Sequence, residues 1–139
     1  MPPPYTRIAL DHVVIRAEEL ERMVAFYRDV LGCEVAHRQD ELGLVHLRAG
    51  TALIDLVWVG GKLGRGGAPP DHARPNLDHL CIAVAPWDEA ALRAHLAAHG
   101  VEVEPAATRY GAGGRALSVY LRDPEGNGVE IRDGTADAA

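Results

Sequence analysis

Cysteine is scarce in this chain. Cys33 and Cys81 are the only two in 139 residues, too few for a disulfide framework. A reducing, cytoplasmic compartment is therefore expected. Basic charge is also in deficit: 14 Lys and Arg stand against 20 Asp and Glu, a formal net charge of −6. A general nucleic-acid binder needs the opposite balance, as does a basic membrane-surface helix. Long apolar runs are missing, so no bilayer span is expected. Met1-Pro2-Pro3-Pro4 has neither a basic region nor an apolar core, so it does not read as a signal peptide. What remains is 47% hydrophobic and 24% charged, the composition of one ordinary globular domain. Histidine alone is abundant, with seven.

The chain repeats itself once. Leu10-Asp11-His12-Val13-Val14-Ile15 recurs as Leu77-Asp78-His79-Leu80-Cys81-Ile82. Each copy reads as a short apolar strand. A helical pattern follows each. Leu20, Met23, Val24, Tyr27, Val30 and Leu31 precede a stop at Gly32; Trp87 to Leu96 precede a stop at Gly100. Further strands are expected at 33–38, 44–48 and 51–59, and in the second half at 101–104, 116–122 and 128–132. The turn Asp123-Pro124-Glu125-Gly126-Asn127-Gly128 joins the last two. Each half is thus βαβββ: residues 7–59 form the first module and 77–132 the second. A Gly- and Pro-rich linker, 60–76, lies between them, either a simple connection or a lid. Tails at 1–6 and 133–139 are expected to fray.

Four candidate ligands fall at matching places. The first strand of each module carries His12 or His79, and the last carries an acid, Asp55 or Glu130. An acid in an apolar strand is costly to bury unless something pairs with it. Alternation places His12 opposite Val13 and Ile15, which are free to pack on the helix. The same parity puts His79 and Cys81 on one face, and sets Glu130 against Val129 and Ile131. A lone strand acid often pairs with an arginine such as Arg16 or Arg132. Two duplicated His–acid pairs favour one divalent metal ion, in a site with open positions rather than a closed structural zinc site.

These residues resemble the vicinal oxygen chelate superfamily, which includes glyoxalase I, extradiol dioxygenases, and the fosfomycin and bleomycin resistance proteins. The resemblance runs from Leu10 to Arg132. It rests on the two Leu-Asp-His segments, on Phe26-Tyr27-Arg28-Asp29-Val30-Leu31-Gly32, and on the stretch from Tyr120 to Glu130. It implies an α+β fold in which two βαβββ modules curl an open, cup-shaped mixed sheet around the metal, with helices outside. It implies that His12, Asp55, His79 and Glu130 hold Zn, Ni, Co, Mn or Fe. Asp55 stands where Glu is more usual, and its shorter side chain makes it the weakest of the four. A glyoxalase-type lyase or isomerase acting on a small substrate with vicinal oxygens is the leading expectation, with Glu130 as base. A homodimer is expected, and the ligands meet either within one chain or across two.

The alternatives are an Fe(II) extradiol dioxygenase and a non-catalytic ligand-binding or resistance protein. The dioxygenase would use His12, His79 and Glu130, with Tyr120 as its active-site tyrosine. Against it, the stretch 109–115 has no histidine, and Asp55 would crowd the iron. Arg109, Tyr110 and Arg115, read as a Gly-rich loop, are candidate substrate contacts, as is His46. Trp58 reads as core or subunit contact, Cys81 as core filler, and His95 with His99 as a helix-end pair rather than a metal pair.

Overall fold

The computed structural model describes residues 1–135; the rest of the expected C-terminal tail lies outside the described residues. The first module comprises β1 (His12–Ala17), α1 (Leu20–Ala25) running on as a π-helical turn (Phe26–Val30), β2 (Glu34–Gln39), β3 (Leu44–Ala49) and β4 (Ala52–Trp58). The second comprises β5 (His79–Val84), α2 (Glu89–Ala98), β6 (Ala107–Gly111), β7 (Gly114–Arg122) and β8 (Gly128–Asp133). Each module forms its own four-stranded mixed sheet, in the orders β1-β4-β3-β2 and β5-β8-β7-β6. In each, the first strand runs parallel to the last and the remaining pairs are antiparallel. The α+β class and the two βαβββ modules are therefore observed, as two open sheets.

Alternation decides the faces. Ile15 and Ala17 are fully buried, while His12, Val14 and Arg16 on the same strand are exposed. The inward face of β1 joins Met23, Val24 and Tyr27 of the first helix with Val45, Leu47, Ile54 and Leu56. The same cluster takes in Leu96, Val119, Leu121, Val129 and Ile131, so one core runs through both modules. Among the described residues, no helix is long and apolar enough to cross a membrane.

Helix ends follow their local chemistry. Asp88 caps α2, accepting from Ala91 N at 3.0 Å. His95 meets the Val30 carbonyl at 2.9 Å and so ties α2 to the end of the first helix. The cap of α1 comes from the other module. The Glu125 carboxylate accepts from the backbone N–H groups of Glu18 (2.8 Å) and Glu19 (2.9 Å). Beside it the Tyr27 hydroxyl donates to Asp123 at 2.8 Å. Burial, reinforced by the Asp123 charge, pushes that phenol far above its ordinary range and keeps it a donor. Asp123, Glu125 and Asn127 are all buried. The segment read from sequence as a tight turn is thus also the clamp between modules. The linker is fastened to it, through Asn76 N to Asn127 at 3.1 Å and Asn76 Nδ2 to the Arg16 carbonyl at 3.0 Å.

Three local expectations are corrected. No strand forms at 101–104. Val101 and Val103 pack on the core, and the pairing partner of β7 is Ala107–Gly111. Consequently Arg109 and Tyr110 lie on β6 and Arg115 on β7; the loop between the strands is only Ala112-Gly113. Trp58 is not core: it is 43% exposed, lying against Gly43, Gly60 and Gly61.

Candidate metal centre

The outward face of each sheet carries one His–carboxylate pair. In the first module His12 Nε2 stands 3.9 Å from Asp55 Oδ2. In the second His79 Nε2 stands 3.4 Å from Glu130 Oε1. In both, the preceding aspartate fixes the ring: Asp11 Oδ1 lies 2.7 Å from His12 Nδ1, and Asp78 Oδ1 lies 2.6 Å from His79 Nδ1. Nδ1 is thereby engaged by the aspartate, and Nε2 is the ring nitrogen that faces the carboxylate. The Asp11 hydrogen bond outweighs partial desolvation, and Asp55 adds to it, so His12 is held above its ordinary pKa. A close approach of strands sets the second pair. A Cβ at Gly128 would lie 2.4 Å from the Asp78 carbonyl and 2.8 Å from His79 Cβ, so only glycine lets β5 seat against β8 there.

Each acid has a further partner on the neighbouring antiparallel strand. His46 faces Asp55 in register and reaches it through Nδ1 at 2.8 Å. The Gln39 amide meets His46 Nε2 at 2.9 Å, which leaves the Nδ1 proton for Asp55. Tyr120 faces Glu130 in register and donates its hydroxyl at 2.6 Å. Burial alone would raise the Glu130 pKa; the Tyr120 hydrogen bond and the His79 charge overcome it, and the carboxyl stays below its usual range. That hydrogen bond pushes the Tyr120 phenol upward in turn. Asp55 is 4% exposed and Glu130 5%, whereas both histidines are exposed.

Among the described residues, no three His, Cys, Asp or Glu side chains converge closely enough to hold an ion. Within one chain His12, Asp55, His79 and Glu130 therefore do not gather into one cluster. The arginine alternative also fails. Arg16 donates to the Ala68 carbonyl, and Arg132 Nη2 donates to the Gly114 carbonyl at 2.7 Å. Arg109 lies over the Tyr120 ring, 4.7 Å from its centroid, on the Glu130 face. Tyr110 and Arg115 pair with each other one register step away; Tyr110, 81% exposed, lies at the rim of a cavity shared with His79 and Glu130. Cys81 is exposed beside Glu130 rather than filling the core, and partial burial with the Glu130 charge pushes its thiol up to about 11.

Cavities adjoin the second pair. One of about 740 Å³ runs from the linker (His72, Pro75, Asn76) past His79 to Tyr120, so the linker walls the cleft. Another, of about 290 Å³, lies among His79, Cys81, Glu130, Arg132 and the β6–β7 tip. Sequence reasoning missed Asp11 and Asp78 as ring holders, although both stand in the repeated Leu-Asp-His segment that signalled the sites. It also missed Gln39 and Asp123, whose partners are distant in sequence or on another strand.

Duplicated βαβββ modules, each displaying a His–carboxylate pair on one face of its sheet, define a class of paired-module α+β folds. The chain belongs to the Glyoxalase/Bleomycin resistance protein/Dioxygenase superfamily, whose family model matches residues 9–131. It is 33% identical over 125 residues to the glyoxalase domain-containing protein RDO1 of Mycosarcoma maydis, spanning 88% of this chain but 66% of that relative's length. The fold matches an integron cassette protein from the mobile metagenome of V. cholerae (TM-score 0.75, 26% identity, 93% and 97% of the two chains). It also matches a lactoylglutathione lyase from Agrobacterium tumefaciens (TM-score 0.65, 27% identity, 96% of each chain).

Proposed function

We propose that this protein is a homodimeric, divalent-metal-dependent lyase or isomerase of the glyoxalase type, acting on a small substrate with vicinal oxygens. In this reading His12 and Asp55 of one copy and His79 and Glu130 of a second copy hold one ion. The observation that carries it is the repeated ring geometry: both Nε2 atoms are freed by an Asp–Nδ1 contact and directed at a carboxylate. The spans of 3.4 and 3.9 Å are near the roughly 3–3.5 Å that separates two ligands of one tetrahedral or octahedral ion. Two imidazoles and two carboxylates suit Zn, Ni, Co, Mn or Fe. The lack of a converged four-ligand cluster within one chain supports completion of each site by a second copy, and likeness to a lactoylglutathione lyase supports the reaction class.

A divalent ion bound there would supply Lewis acidity toward adjacent substrate oxygens. The chain's own groups divide the remaining work. Glu130, ionised and partly shielded, is placed to take a proton from a substrate carbon and return it to the neighbouring one. Tyr120 donates to Glu130 and fixes which oxygen stays free. His46 holds Asp55 in the same manner. Arg109 adds positive charge above Tyr120. Free Cys33 and Cys81 suit a reducing cytoplasm.

Metal analysis of protein purified without added ions tests the site. Wild type retains a stoichiometric divalent ion and His79→Ala loses it; equal retention in both refutes the assignment. A second reading, an Fe(II) extradiol dioxygenase, is favoured by the Tyr120 hydroxyl lying 2.6 Å from Glu130. Oxygen uptake by iron-loaded protein across a catechol panel decides between the two.

A further inference from the structure

Arg132 follows Glu130 by two residues on β8 and shares its face, opposite Ala83 as Glu130 is opposite Cys81. It is 5% exposed, and its Nε finds no hydrogen-bond partner among the described residues. A buried guanidinium N–H without an acceptor is costly, and a full set of partners is the rule. The acid on the same face, Glu130, is already engaged by Tyr120 and His79, and the adjacent Asp133 accepts from Thr135 N.

The guanidinium is nevertheless held in place. Nη2 is tied to the Gly114 carbonyl at 2.7 Å, and the group lies over Gly111, where a Cβ would meet Nη1 at 1.4 Å. A backbone without a side chain is thus what admits it. The 290 Å³ cavity beside it is lined also by His79, Cys81 and Glu130. An arginine that is positioned, sparsely partnered and set at a cavity wall is suited to an anion, and in a cavity of this size to a carboxylate.

We propose that Arg132 binds a carboxylate of the substrate, distinct from the vicinal oxygens that face the His79–Glu130 pair. The substrate class is then a small diacid bearing a hydroxyl or oxo group beside one carboxylate. Alternate residues on a strand are about 7 Å apart, the reach of such a molecule. The assignment of the vicinal oxygens rests on the metal-site reading, whereas the Arg132 contact does not.

The test uses three 2-hydroxy acids as probes on the zinc-loaded protein: lactate, malate and 2-hydroxyglutarate. All offer a hydroxyl beside a carboxylate, and the latter two add a second carboxylate. Calorimetry is expected to show at least one diacid binding about tenfold or more tighter than lactate. The ¹⁵N Nε–H signal of Arg132, assigned by its loss in Arg132→Lys, is expected to shift with that diacid and not with lactate. The preference is expected to vanish in Arg132→Met. It is also expected to vanish in Gly111→Ala, which keeps the charge but displaces the guanidinium and so covers any folding failure of the first variant. A wild type without diacid preference, absence of binding by all three acids, or a preference surviving in both variants overturns the proposal. Zinc content is measured separately. Protein that holds no zinc yet discriminates diacids loses the metal reading and keeps this one; protein that holds zinc without discriminating does the reverse.

Discussion

Asp78 Oδ1 lies 2.6 Å from His79 Nδ1, and Asp11 repeats the relation to His12 at 2.7 Å. One backbone step places a carboxylate behind the imidazole in both modules. Such a partner sets the tautomer and raises the basicity of the ligating nitrogen. Both aspartates are exposed, so water competes with them. Asp78→Ala is therefore expected to weaken metal binding by about tenfold, the low end for a partner of this kind. Chelator competition measures it, and unchanged affinity would show that packing alone orients the ring.

A site shared between copies makes a distinctive prediction for mixed dimers. When His12→Ala and His79→Ala chains are combined, one site loses both histidines and the other keeps its full set. Doubly tagged mixed dimers should hold about half the wild-type metal, while each mutant homodimer holds little. Elemental analysis distinguishes this from sites within single chains, for which the mixed dimer gains nothing.

The intermodule clamp should be visible in stability. Tyr27→Phe removes the buried hydroxyl from Asp123, which still accepts from Asn127 Nδ2 at 2.8 Å. A loss of about 1–2 kcal/mol is expected. Glu125→Ala strips the cap from α1 and leaves the Glu18 and Glu19 N–H groups without their acceptor, at a cost of about 2 kcal/mol or more. Urea unfolding midpoints check both, and a Glu125→Ala midpoint equal to wild type would mean the clamp holds nothing together.

Cys81 should be slow to react despite its exposure. Its pKa of about 11 means the thiolate is scarce at neutral pH. Because the shift is upward, alkylation of metal-free protein by iodoacetamide should quicken about tenfold per pH unit, with no plateau near the ordinary thiol value of about 8.5. Mass spectrometry of quenched samples follows it. A plateau below pH 9 would show that Glu130 and burial do not act on this sulfur.

Much of the centre was legible because periodicity and duplication are properties of the chain itself. The apolar alternation in Val13, Ile15 and Ala17 dictated the outward face of His12, and the repeated Leu-Asp-His marked His79 by the same rule. Gly32 and Gly100, both at positive φ, ended the two helices where the pattern stopped. The register of β6 was not legible. Val101 and Val103 look like a strand, but the pairing partner of β7 was settled by which backbone reached its free edge. That choice set Arg109 on the Glu130 face and Tyr110 at the rim of the cavity beside it.

The sequence by itself determined most of the elements, the two modules and the two duplicated His–carboxylate pairs, since these depend on side-chain order along short segments. Only the tertiary structure decided that Glu125 caps a helix over a hundred residues earlier in the chain, that Arg132 is buried over Gly111, and that the two His–carboxylate pairs form no common cluster among the described residues. Those outcomes depend on how separately legible pieces meet in space. Packing of one core across both modules sets that meeting, and no local pattern encodes it.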